Sequence, residues 1–103
     1  MRAVIYARYS TDMQSETSVE DQVRLCRERA ERDGHEVTQV FSDYAISGSS
    51  LGNRPGMLSL MAAAKDGMFD LVYAEALDRI SRDQEDIAGI HKRLTHADVG
   101  ITT

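Results

Sequence analysis

Four short strand-like segments, two of them wholly apolar, separated by amphipathic stretches constrain this 103-residue chain more than any other feature. Ala3-Val4-Ile5-Tyr6-Ala7 shows no polar/apolar alternation, so it reads as a strand covered on both faces. Val37 to Phe41 reads as a second strand, Leu71-Val72-Tyr73-Ala74 as a third short buried one, and Asp98 to Thr102 as a fourth. Strands buried on both faces belong to parallel sheets, whose crossover connections lay helices against them. The intervening segments supply those helices. Thr17-Ser18-Val19-Glu20 has capping-box spacing, and Val19, Val23, Cys26 and Ala30 form one apolar stripe that Gly34 ends. Arg24/Glu28, Arg27/Glu31 and Arg29/Asp33 are opposite-charge i,i+4 pairs on the other face. Pro55 suits the first position of a second helix, in which Leu58, Met61, Ala62 and Lys65 share a face before Asp66-Gly67. Ser81-Arg82-Asp83-Gln84 is a second capping box, followed by the stripe Ile87, Ile90 and Leu94. The expected fold is α/β: three layers, with a mostly parallel sheet of about four strands and helices on both faces.

Composition bounds what such a fold does here. With 42% hydrophobic and 28% charged residues, the chain is an ordinary globular domain and not a disordered one. Lys+Arg 12 against Asp+Glu 17 gives a net charge of −5, the wrong sign for a self-sufficient DNA-binding module. A local basic pocket stays open, since bulk charge does not say where the arginines sit. The single cysteine, Cys26, excludes an internal disulfide and fits a reducing compartment; on its apolar stripe it reads as buried filler. No apolar run is longer than Ala3 to Ala7, far below the ~20 residues that span a bilayer, and with a charge already at Arg8 no signal-peptide apolar region is expected. The expected location is the cytoplasm.

Parallel sheets place their chemistry beyond the carboxyl ends of the strands. Those ends carry Arg8-Tyr9-Ser10, Ser42-Asp43 and the segment Glu75 to Arg82. Arg54, Arg79 and Arg82 lie in segments this topology brings toward Arg8 and Ser10. A hydroxyl among guanidiniums suits attack on a phosphodiester, because arginine forks stabilise the charge that develops. Ten of the twelve basic residues are arginine. No histidine falls near this edge and the G-x-S-x-G elbow is absent, so a Ser-His-Asp hydrolase does not fit. The three histidines lack metal-ligand spacing, and no nucleotide-binding glycine loop is present. Ser47 to Asn53 is small and polar, a flexible loop with few apolar contacts to fix it.

Tyr6-Ala7-Arg8-Tyr9-Ser10-Thr11, Gln14, Gln22, Asp43, Ser47-Gly48, Arg54-Pro55-Gly56 and Leu77-Asp78-Arg79-Ile80-Ser81-Arg82-Asp83 together resemble the resolvase/invertase family of serine recombinases. The resemblance runs through essentially the whole chain. It implies site-specific DNA recombination, with Ser10 attacking the scissile phosphate to form a 5′-phosphoserine link. It also implies that Arg8, Arg79 and Arg82 line the phosphate and that Arg54 reaches it from the loop. Asp78 would orient arginines or share in proton transfer. Gln14, Gln22, Asp43 and Ser47 would support the site. No metal or nucleotide cofactor is implied, because the phosphoserine bond conserves the energy needed for resealing. The stretch from Ser15 to Asp21 is longer than in compact resolvases and is similar to that of the large serine recombinases of phages and mobile elements. The family adds an interface helix and DNA-binding region after this domain, so residues 1–103 are expected to be a truncated catalytic domain, inactive alone. Its full-length parent would work on crossover-site DNA as a homodimer to tetramer. Two other classes remain at this stage. One is a receiver-like regulatory module with Asp43 as phosphoacceptor, although Arg8 and Ser10 stand where such modules need acids for Mg²⁺. The other is a recombinase-like relic that serves only in oligomerisation.

Overall fold

Arg2–Tyr9 form strand β1, longer than the aliphatic run because its polar end pairs on into the neighbouring strand. The computed structural model describes residues 1–9, 19–44, 55–75 and 84–102. After β1 come helix α1 (Val19–Arg32), β2 (Glu36–Tyr44), α2 (Pro55–Lys65), β3 (Leu71–Tyr73), α3 (Gln84–His96) and β4 (Gly100–Thr102). The strands make one sheet in the order β2-β1-β3-β4, and every pairing is parallel. β1 is therefore central, which is why Ala3 to Ala7 are all fully buried.

The two faces of β1 feed two separate cores. Ala3 and Ile5 join Cys26 and Ala30 of α1 and Tyr73 of β3. Val4 and Tyr6 point the other way, into the larger cluster with Met57 and Leu60 of α2 and Ile90 and Leu94 of α3. Helices thus lie on both faces, giving the three layers expected. A register shift between Ala3 and Val4 in the β1–β2 ladder leaves Phe41 on the α2 side and sets Arg8 opposite Asp43.

Three local expectations change. Ser42 and Asp43 do not follow β2 but belong to it, paired with Ala7 and Arg8. The face of α2 turned inward is Met57, Leu60 and Ala64, whereas Leu58, Ala62 and Lys65 are exposed and Met61 half-buried. α2 is apolar around most of its circumference, so its periodicity alone does not select the inward stripe. On α1, Arg24 pairs with Asp21 at 3.3 Å rather than with Glu28. The mobile loop expected at Ser47 to Asn53 lies outside the described residues.

Candidate functional site

In a sheet ordered β2-β1-β3-β4, the first connection runs one way from β1 and the later ones return past it. The crevice between the carboxyl ends of β1 and β3 is the topological switch point, where open α/β sheets bind ligands. Arg8 stands at that point, with no exposed surface, and is the largest fully buried side chain among the described residues. A charge enclosed this way is stable only when held by specific partners.

Its backbone is held by α1. Asp70 N–H donates to the Arg2 carbonyl, whereas Glu36 N–H donates to the Met1 carbonyl. Even-numbered residues of β1 therefore turn their peptide groups toward β3, odd-numbered ones toward β2. The β1–β3 ladder ends at Ile5↔Tyr73, so the Arg8 groups fall beyond the last ladder pair. Gln22 fills the gap. Arg8 N–H donates to Gln22 Oε1 at 3.1 Å, and Gln22 Nε2 donates to the Arg8 carbonyl at 3.0 Å. A carboxamide has the same donor and acceptor as a peptide, so Gln22 acts as one more residue of strand where β1 and β3 part.

Beside Arg8 on β2, Asp43 is 3% exposed. Its Oδ2 accepts from Tyr6 Oη at 2.6 Å and from Met57 N–H at 3.1 Å, and its Oδ1 accepts from Gly56 N–H at 2.8 Å. Pro55 begins α2, so Gly56 and Met57 supply the free amides that an N-cap side chain normally takes. Asp43 caps α2 from another element, with its charge at the positive end of the helix. Gly56 makes this approach feasible: a Cβ there would collide with the Ser42 carbonyl oxygen.

Of the residues singled out in the sequence, the structure brings Arg8, Gln22 and Asp43 to this edge. Ser10, Gln14, Ser47, Arg54, Asp78, Arg79 and Arg82 lie outside the described residues. Their chain attachments are described: Tyr9 ends β1 just before Ser10, Pro55 opens α2 just after Arg54, and Glu75 and Gln84 bracket Asp78 to Arg82. Sequence reasoning quoted Tyr6 and Gly56 within the family motifs but gave neither a role in the site. Tyr6 looks like one more apolar strand residue, and only the tertiary fold puts its hydroxyl on Asp43.

Cys26 is fully buried, and burial pushes its thiol from 9.0 up to about 11, with Arg29 opposing the shift and Glu75 adding to it. A neutral, enclosed thiol is packing and no nucleophile. Among the described residues, no three His, Cys, Asp or Glu side chains converge as metal ligands, and no helix is long and apolar enough to cross a membrane.

The family described as Resolvase, N terminal domain, matches residues 3–103. Solved structures agree. The chain is similar to the C-terminal catalytic domain of ISC1926 TnpA, an IS607-like serine recombinase, at 31% identity and a TM-score of 0.87, covering 100% of this chain and 69% of that one. It is similar to the N-terminal catalytic domain of TP901-1 integrase at 28% identity and a TM-score of 0.89, covering 100% and 76%. A resolvase family site-specific recombinase from Streptococcus pneumoniae, at 24% identity, a TM-score of 0.82 and coverage of 98% and 70%, shares the fold. A comparison with curated protein sequences found no match.

Proposed function

Because this chain belongs to the Resolvase N-terminal domain family, as a site-specific serine recombinase catalytic domain, we propose that Ser10 is the nucleophile that cuts DNA. The observation that carries this reading is the locked end of β1: Gln22 fixes both peptide groups of Arg8, two residues before Ser10, at the switch point of the sheet. A nucleophile needs this kind of preorganised support to meet a phosphorus atom in line.

In the proposed step the Ser10 Oγ attacks the scissile phosphorus and loses its proton. The bond from phosphorus to the 3′-oxygen breaks, and the freed 3′-hydroxyl takes a proton as it leaves. A 5′-phosphoserine remains. Attack by a 3′-hydroxyl on that ester reverses the step after strand exchange, with no net change in the number of phosphodiester bonds. Arg8, Arg54, Arg79 and Arg82 stabilise the charge on the pentavalent phosphate, and Asp78 orients them or shares in proton transfer. Gln14 and Ser47 are supporting polar groups of the same site. Arg8 is fully enclosed without DNA, so its contact with phosphate requires a change at this edge on binding. Recombination of this kind needs no metal or nucleotide, since each ester is exchanged for another of similar energy.

The enzyme acts on DNA and assembles into oligomers, and we place it in the cytoplasm as a dimer that pairs into a tetramer on its crossover sites. A net charge of −5 leaves this domain poorly suited to hold DNA by phosphate neutralisation. Affinity and sequence choice therefore come from a separate DNA-binding region, and the 103 residues alone do not recombine. The receiver-like alternative gains no support: the Asp43 carboxylate is buried and already accepts three hydrogen bonds, which leaves it unsuited to phosphorylation.

The test is Ser10→Ala in the recombinase assembled on crossover-site DNA. A denaturing gel should show protein joined to the 5′ end for the parent and none for the variant, whose fold should be unchanged because losing one hydroxyl just after a strand usually costs about 0.5 kcal/mol or less. Adduct formed by Ser10→Ala would refute the assignment.

A further inference from the structure

We propose that the groove between α2 and α3 is a docking site for an acidic amphipathic helix carried by a separate protein. The groove encloses about 820 Å³. Leu58 and Met61 of α2 and Leu94 of α3 give it apolar walls, and Leu58 is 42% exposed. Lys65 at the end of α2 and Lys92, Arg93 and His96 near the end of α3 form its rim, and all four are exposed. Among the described residues no acid lines it; Asp66 and Asp98 are close in the chain but outside its walls. In a chain of net charge −5, this local excess of positive charge reverses the average. Gly89 also lines the groove, in the middle of α3, where glycine weakens a helix. A Cβ there would meet nothing within 4 Å. A residue that helix stability disfavours thus keeps the groove open.

Apolar walls under a basic rim fit a helix with one apolar ridge flanked by Asp and Glu. Other occupants fit less well. A second copy meeting groove to groove about a two-fold axis would set these cations against their own counterparts. The α1 surface of a second copy is not acidic either, since exposed Glu20, Asp21, Glu28 and Glu31 are interleaved with exposed Arg24, Arg27 and Arg32. DNA would satisfy the cations but gives no reason for the exposed Leu58. The groove is also remote from the phosphate chemistry. α2 starts beside Asp43, and Lys65 ends this 11-residue helix roughly 15 Å further on. A partner held there leaves the edge with Arg8 open to DNA, so it can recruit or regulate the recombinase without covering its site. Basic residues in a last turn also complement the helix dipole, a role that predicts no preference among peptides.

The probes are two fluorescein-labelled, stapled helical peptides with the same leucine ridge, one flanked by Glu and the other by Lys, added to the intact recombinase. Anisotropy should show the Glu peptide binding about tenfold more tightly than the Lys peptide, with the gap closing as salt rises. Leu58→Glu, at an exposed side chain, should weaken the Glu peptide about tenfold. Lys92→Glu combined with Arg93→Glu should reverse the preference. Gly89→Gln should raise Tm, as a better helix former, and still weaken the Glu peptide because its side chain enters the groove. Equal binding of the two peptides overturns the proposal, as does no binding of the Glu peptide or binding that Leu58→Glu and Gly89→Gln both leave unchanged. Displacement of the Glu peptide by a short DNA duplex would assign the rim to nucleic acid. Oligomers dissolved by Leu58→Glu would assign the face to a second copy. Either result also overturns it. Peptide binding is read without cleavage, so a failed assignment of Ser10 leaves it standing.

Discussion

Gln22 shows how one side chain can stand in for a strand. Its carboxamide satisfies the N–H and C=O of Arg8 where β3 has ended, and Gln22 itself has no exposed surface. Removing it leaves two buried backbone groups unpaired, at about 1–3 kcal/mol each. Gln22→Met, close in volume and unable to replace either bond, should cost roughly 2–4 kcal/mol in urea unfolding at neutral pH. A loss below about 0.5 kcal/mol would show that packing alone holds the end of β1. Part of this was legible in the sequence. Gln22 falls three residues after Val19 and four before Cys26, on the apolar stripe, where a polar residue must find buried partners. Which partners it finds depends on where β3 stops, and no local pattern contains that. Asp43 is similar: an acid near a strand end is visible, but the Tyr6 hydroxyl and the α2 amides are brought to it only by the fold.

At the scale of elements, helix ends were more legible than helix faces. α1 stops as Gly34 and α2 as Gly67, both at positive φ (80° and 71°), and in each the next amide reaches back to the helix: His35 to Ala30, Met68 to Ala63. α3 ends in the same bonds, Asp98 N–H to Thr95 and Val99 N–H to Leu94, yet the left-handed position there is Asp98 at φ 60°. The sequence read Asp98 as strand because it lacks the glycine that marks the other two ends. An L-residue in this conformation carries a steric cost that glycine does not. Asp98→Gly should therefore stabilise the domain by about 0.5–1 kcal/mol, seen as a rise in Tm at roughly 4–8 °C per kcal/mol. Asp98→Val, branched at Cβ, should destabilise it. If both variants melt with the parent, the turn is not under strain. The inward face of α2 escaped sequence reading for a different reason. Leu58 and Met61 are as apolar as Met57 and Leu60, and what selects the latter is the anchoring of Gly56 and Met57 on Asp43.

For the molecule as a whole, a parallel sheet between two helical layers follows from the unalternating apolar runs of β1 and β3, but the order β2-β1-β3-β4 does not. Strand order depends on which face each crossover takes, and it is that order which puts Arg8 at a switch point and buries Ile5 and Tyr6 on opposite sides of one strand. It also encloses two weak acids in the α1-side core. Burial raises the Cys26 thiol from 9.0 to about 11, and burial together with the hydrogen bond to Asp33 raises the Tyr73 phenol from 10.0 to about 12. Both folded values lie above the unfolded ones, so the native state binds more protons in the window between them. Below pH 9 each group is protonated in both states and adds no pH dependence. From pH 9 to about 11 unfolding releases the Cys26 proton, and stability falls by about 1.4 kcal/mol per pH unit. From pH 10 to about 12 Tyr73 contributes a second fall of the same sign. Urea midpoints should thus be flat from pH 7.5 to 8.5 and drop between pH 9.5 and 11. Cys26→Ala removes the earlier titration, so its decline should begin about one pH unit later, even though the lost methyl-sized volume lowers its stability throughout. A Cys26→Ala curve parallel to the parent across the whole range would mean that the thiol ionises alike in the folded and unfolded chains, and that the α1-side core admits water the packing says it excludes.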